Sequence, residues 1–225
     1  MVVALVGIGA DSTNTEPIPP VDRSRAFEYI PIPEREGPGG TVEERTYGNT
    51  KLRHRDGMVA DYVERIVPSS DGPERTGTVL AEWPFHHDPN FDALTYGEST
   101  SRGAYVKKLR RLTPGDVVAF YTGLRHPDSR FTHRYLIGYF SVTDVIDFQA
   151  IQTDGETARF TDLPDGEQDR LVGRHAANAH AKRYLATGHL PSGNGLVIVD
   201  GEEPGGLLDR AIRISEHHGG GHHYL

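Results

Sequence analysis

The sequence predicts an α+β domain on a mostly antiparallel, barrel-like sheet with flanking helices. Three observations lead there. The elements run β-β-α-β-α-β-β-α-β-β, without the regular βα alternation of a doubly wound parallel sheet. Two apolar runs, VVAFYTGL (117–124) and RYLIGYFSVTDVIDF (134–148), are joined by RHPDSRFTH; that link has no crossover helix, so the runs should pair as an antiparallel hairpin. The length of 225 residues suits one sizeable domain or two small ones. One domain over 1–215 is expected, with 35–57 a loop or insertion and 216–225 a flexible His/Gly-rich tail.

The elements follow from local signals. VVALVG (2–7) is an apolar first strand, and FEYIPIP (27–33) is extended, its prolines typical of an edge. Gly7 and Gly9 invite a dinucleotide-loop reading, but Ser12 takes the place of the third glycine and Pro17, Pro19 and Pro20 forbid the helix that should follow. MVADYVERI (58–66) puts Met58, Tyr62 and Ile66 on one helical stripe, and TVLAEW (78–83) reads as a strand. RGAYVKKLRRL (102–112) is a helix with Tyr105, Leu109 and Leu112 inward; TPGD (113–116) is a turn. Residues 165–187 read as one helix, with Asp165 and Gln168 at capping-box spacing and Gly188 as its stop. GLVIVD (195–200) is a strand, PGGLLDRA a turn and short helix, and IRIS (212–215) a last strand.

Composition narrows the function. The chain has no cysteine, which excludes disulfides, zinc–thiolate sites and cysteine nucleophiles. The apolar runs are strand-length, so no membrane span is expected, and neither a basic leader nor a cleavage pattern marks the start; the cytoplasm is the expected compartment. Lys and Arg number 24 against 32 Asp and Glu, a net charge of −8. A protein that coats nucleic acid should be basic, so any such contact needs a local patch. Lys107, Lys108, Arg110 and Arg111, on the outer face of the 102–112 helix, are that patch.

The densest chemistry lies in HHDPNFDALTYGE (86–98). Imidazoles and carboxylates suit zinc, manganese or iron, and a metal here needs His86 or His87, Asp88 and a distant partner such as His175. No spacing of the HExxH kind supports it, and no residue is assigned as a metal ligand. A plainer reading is a turn at Asp88-Pro89-Asn90. A third makes one histidine a general base oriented by a carboxylate. Thr-Tyr-Gly occurs at 46–48 and 95–97; a glycine after tyrosine allows a turn that exposes the ring for stacking, or the ring packs on the sheet. In the late helix, Leu171, His175, Asn178, Lys182 and Leu185 fall on one face, with His180 about 140° from His175. A His–Asn–Lys line can read a base edge or a phosphate, or simply be a solvated boundary. Asp11-Ser12-Thr13-Asn14-Thr15 can hold a phosphate or make a turn; Ser12 lacks the GxSxG elbow of a nucleophile.

GIGADSTNTEPIPP, YIPIPE, HHDPNFDALTYGE, SRGAYVKKLRRLTPGDVVAFYTGL, RYLIGYFSV and NAHAKR, in that order, resemble the nucleotide modification associated domain 3 family (Nmad3) of archaea, bacteria and phages. The resemblance runs from about 4 to about 215 and implies an association with nucleotide base modification, without catalytic residues to carry over. LTPGDVVAFYTGL and RYLIGYFSV are also similar to small PUA, ASCH and EVE barrels, which bind RNA or modified bases. The expected function is recognition or modification of a base in nucleic acid. His87, Asp88 and Asp11 are the expected catalytic groups. Ser12, Tyr96, Arg102, Tyr121, Arg134, His175, Asn178, His180 and Lys182 are expected to bind, with Tyr96 or Tyr121 stacking and Arg102, Arg134 and Lys182 meeting phosphate. The cofactor and the oligomeric state are unknown. The alternatives are a non-catalytic reader of modified bases and a metal-dependent phosphoesterase.

Overall fold

The computed structural model describes residues 1–11, 14–37, 40–68, 72–99, 102–153, 155–190, 195–217 and 222–224. The fold is mixed α+β. A five-stranded sheet has the order β1-β5-β6-β9-β4, formed by β1 (Val3–Gly7), β4 (Thr95–Glu98), β5 (Val117–Arg125), β6 (Thr132–Asp147) and β9 (Val197–Arg213). Three two-stranded ribbons accompany it: β2 (Thr15–Glu16) with β3 (Arg65–Ile66), β7 (Ile151–Gln152) with β8 (Thr157–Ala158), and β10 (Ser215–His217) with β11 (His222–Tyr224). The helices are α1 (Val59–Tyr62), α2 (Gly77–Glu82), α3 (Gly103–Leu109), α4 (Asp165–Gly173) and α5 (Ala179–Thr187). Among the described residues the sheet begins at β1 and ends at β4 without closing on itself.

The expected hairpin runs, 117–124 and 134–148, are the neighbouring strands β5 and β6. Their alternating burial matches the period of a strand with one covered face. The TPGD turn before β5 closes through Asp116, which accepts hydrogen bonds from the Thr113 amide and hydroxyl, with Gly115 at φ +87. Helix α3 buries Val106 and Leu109, and Leu112 just beyond it is buried as well.

Four expected elements differ. The helix over 58–66 is a single turn, α1, and Val63 is already extended; the next residues are drawn into β3, where Ile66 pairs with Thr15. TVLAEW is helical rather than extended, because only Leu80 and Trp83, three apart, need burial while Thr78, Val79 and Glu82 face water. The late helix is two helices: α4 ends at Gly173, and Asn178 stands in extended conformation as the N-cap of α5, its side chain accepting the His180 amide. The Asp165–Gln168 box does not form, since Gln168 Nε2 donates to the Leu163 carbonyl; Gly188, in the left-handed conformation, does stop α5. PGGLLDRA lies within the long strand β9 rather than in a helix. A Cβ at Gly201 would run into the Phe140 ring, and one at Gly205 would come within 2.8 Å of Phe140 Cβ, so these glycines let β9 pass close to its neighbour. At the C-terminal end, β10 and β11 pair where a tail is expected from sequence.

Chain contacts define two compact units, with β5, β6 and β9 running through both. The first comprises Met1–Val6, Asp88–Ala119 and Tyr139–Gly206; the second Gly7–His87, Phe120–Gly138 and Leu207–Leu225. The first has a core of Ile146, Phe148, Phe160, Leu171, Val172, Leu196 and Ile198, with Phe148 and Phe160 centroids 4.9 Å apart. The second packs Ile30, Tyr47, Val59, Ile66, Leu80, Trp83 and Phe85 together. Tyr47 of the first Thr-Tyr-Gly is fully buried, its hydroxyl donating to the Pro31 carbonyl at 2.8 Å. Burial pushes this phenol well above its ordinary range.

Candidate functional site

In the first unit the site grows from the sheet edge. Strand β4 is last in the strand order and pairs antiparallel with β9 through Thr95↔Asp200, Tyr96↔Val199, Gly97↔Ile198 and Glu98↔Val197. An edge strand leaves part of its backbone without a strand partner. The Gly97 amide is one such group, and both oxygens of Asp88 accept it, at 3.1 and 2.9 Å. Asn90, two residues later, holds its own loop by accepting the amides of Asp92 and Ala93. It also reaches the α4–α5 connection by donating to the Ala177 carbonyl at 3.0 Å.

Alternation along β4 sorts the side chains into two groups. Thr95 and Gly97 face Asn178 and His180. Asn178, fully buried, donates to Asp88 Oδ1 at 3.4 Å and to Thr95 Oγ1 at 3.5 Å while its oxygen caps α5. His180 Nε2 lies 3.3 Å from Asp88 Oδ2. A Cβ at residue 97 would fall 2.5 Å from His180 Cδ2 and 3.0 Å from Asn178 Oδ1, so glycine is needed for the imidazole to lie here. On the other face, the Tyr96 hydroxyl donates to Glu98 Oε2 at 2.6 Å, and Arg102 Nη1 meets the same oxygen at 3.0 Å. Burial, then the charge of Glu98, holds the Tyr96 phenol well above its ordinary range. The Arg102 guanidinium lies over the Tyr105 ring at 4.3 Å, with the Lys108 ammonium 5.2 Å from the same ring.

The sequence-derived residues divide accordingly. Asp88, Asn178 and His180 come together. Tyr96 is 3% exposed, so its ring offers no face to a base; it and Arg102 converge on Glu98. His175 belongs to a different pair: its Nδ1 is 2.5 Å from Asp200 Oδ2, and its Nε2 is buried with no hydrogen-bond partner among the described residues. Lys182 is half-buried on α5, its amide bonded to the Asn178 carbonyl. Lys107, Lys108 and Arg111 are exposed, whereas Arg110 Nη2 donates to Asp147 at 3.1 Å and Gln149 at 2.8 Å.

In the second unit, the His87 Nε2 accepts from Arg45 Nη1 at 2.9 Å, and His86 Nδ1 is 2.8 Å from Glu34 Oε1. Tyr121 packs so tightly on Gly7 that a Cβ there would lie 2.9 Å from its hydroxyl, and the Arg134 guanidinium stands 5.4 Å from its ring. The Asp11 carbonyl accepts the amides of Asn14 and Thr15. Ser12 lies outside the described residues.

Sequence reasoning missed Glu98 and Asp200, and read Gly97 only as a residue that allows a turn. Glu98 stands four before Arg102, a spacing that signals an ion pair. Asp200 closes an apolar run and carries no such signal. No helix among the described residues is long and apolar enough to cross a membrane.

A family model described as nucleotide modification associated domain 3 matches residues 2–223. No curated protein and no solved structure matches the chain.

Proposed function

The chain belongs to the nucleotide modification associated domain 3 family, and from that premise we propose that it recognises or modifies a base in nucleic acid, in the cytoplasm. One observation carries the reading beyond the family: a buried carboxylate, Asp88, held by a backbone amide and Asn178 against the partly exposed imidazole of His180. Such a pair can give or take a proton at a base edge. Asp88 orients the imidazole, and His180, with its side chain 14% exposed, is the group a ligand reaches. Tyr105, set between Arg102 and Lys108, takes the stacking role first expected of Tyr96. Lys107, Lys108 and Arg111 meet phosphate, a local patch on an acidic chain. In the second unit Tyr121 under Arg134 is a further aromatic–cation pair of the kind that holds a nucleotide.

The test incubates the protein with single- and double-stranded oligonucleotides and candidate group donors, then digests them and weighs the nucleosides. A mass change that Asp88→Asn and His180→Ala abolish is the expected result. No binding and no mass change by the wild-type protein overturns the reading. Binding without a mass change selects the second reading, a reader of modified bases. What favours that reader is the TPGD turn leading into neighbouring β5 and β6, the segment similar to PUA and ASCH barrels.

A further inference from the structure

We propose that Asp88 and His180 are two ligands of one divalent transition-metal ion. The inference concerns the same side chains as the proposed function but does not depend on nucleic acid. It rests first on distance. A charge-assisted N–H···O bond spans about 2.7–2.9 Å, whereas His180 Nε2 and Asp88 Oδ2 stand 3.3 Å apart. Nitrogen and oxygen ligands bound at about 2.0–2.2 Å around a tetrahedral ion are about 3.3–3.5 Å from one another. The 3.3 Å spacing accommodates two ligands on one ion, and equally a long hydrogen bond of the kind Asn178 makes to Asp88 at 3.4 Å; the surroundings favour the ion. The other His–Asp pair of the same unit, His175 with Asp200 at 2.5 Å, is a hydrogen bond.

The second support is the surroundings. Ligating carboxylates and imidazoles are themselves held by outer groups that fix their direction. Asp88 is held by the Gly97 amide and Asn178, with Oδ2 turned toward His180. His180 is fixed by the Asn178 cap on its amide and by the glycine surface under its ring. The third support is charge. The Asp88 side chain is 1% exposed, and positive charge stabilises a buried carboxylate; a dication adds such charge whatever the protonation of the imidazole. An imidazole–carboxylate donor set in a chain without cysteine selects zinc, manganese or iron(II) over softer ions. Water, the ligand or further donors of the chain complete the coordination.

The experiment strips the full-length protein with chelator and titrates it with Co²⁺ alone, following heat and the visible absorption of bound cobalt. The expected result is one equivalent bound with a new absorption band. His180→Gln and Asp88→Asn should weaken binding at least about a hundredfold, Asn178→Ala about tenfold as an outer group does, and His175→Ala should leave it unchanged. Far-UV circular dichroism checks each variant, and His180→Gln, which keeps a polar side chain, decides if Asp88→Asn unfolds. Failure of the wild-type protein to take up Co²⁺, or uptake that His180→Gln does not weaken, overturns the proposal. Co²⁺ uptake without any nucleic-acid binding overturns the proposed function and leaves the metal site standing.

Discussion

His175 and His180 lie five residues apart, flank the same helix cap and each meet an aspartate, yet the two pairs are built in opposite ways. In His175–Asp200 the imidazole is the buried member, 5% exposed, and the carboxylate is 29% exposed; the contact is short and uses Nδ1. In His180–Asp88 the carboxylate is buried at 1%, the imidazole is 14% exposed, and the longer contact uses Nε2. The first arrangement pins a connection: a polar ring in the core, tied to β9, holds the α4–α5 turn in place. The second keeps the carboxylate inside and leaves the imidazole at the boundary, the arrangement that the proposed proton-transfer and metal-binding roles require. Residue type alone does not separate the two roles. Which member is buried does.

The contrast can be broken most severely at Asp88. Replacing it with alanine leaves the Gly97 amide and Asn178 side chain without their buried acceptor; stability measured by urea unfolding should fall by about 3–5 kcal/mol, and both nucleoside conversion and Co²⁺ uptake should vanish. His175→Ala should be smaller, about 1.5–3 kcal/mol for a hydrogen bond to a charged group. It should spare metal and nucleotide behaviour, and an equal loss of function in both pairs would erase the distinction between them. Gly97→Ala tests whether the His180 imidazole needs the glycine surface. Overpacking should cost about 1–3 kcal/mol and displace His180, so Co²⁺ affinity should fall while the His175 pair stays intact. The smallest effect on stability, within about 0.5 kcal/mol, is expected for Lys107→Ala with Lys108→Ala and Arg111→Ala, which touch neither pair. Their signature is in salt dependence: the slope of log affinity against log salt should flatten by about 0.9 for each duplex phosphate that the variant no longer neutralises.

A further check uses acid. Two backbone amides, Val2 and Thr113, hold the Asp116 carboxyl below its ordinary value of 3.8. A depressed carboxyl stabilises the fold above that value, and the contribution drains away as pH falls through the lower folded pKa. Asp116→Asn should therefore flatten acid unfolding below pH 3.8, without altering either His–Asp pair, which a pH series of thermal midpoints would show.

Much of the scaffold was legible because its signals are local. The alternation of 117–124 and 134–148 and the TPGD turn each lie within a dozen or so residues and survive in the fold, whereas of the Tyr105, Leu109 and Leu112 stripe only the leucines are buried, Leu112 beyond the end of α3. The failures came where a distant group overrode a local pattern. The helical stripe through 165–187 breaks because the Asn178 side chain caps α5 and is drawn to Asp88 and Thr95. PGGLLDRA stays extended because β9 slides over Phe140 on two glycines. Thr-Tyr-Gly at 95–97 reads equally as a turn or a packed strand, and only the pairing with β9 decided for the strand, burying the Tyr96 ring.

By itself the sequence determined the donor types available, imidazole and carboxylate without thiolate, the basic face of α3 on an acidic chain, and the family to which the order of motifs belongs. The tertiary structure alone decided which histidine serves which aspartate. The reason is physical: the distance between two side chains far apart in sequence is set by strand register and by how a helix start is capped, and neither is written within the few residues around either partner. The Asp88 of HHDPNFDALTYGE acquires its partner only when β4 pairs with β9 and Asn178 starts α5.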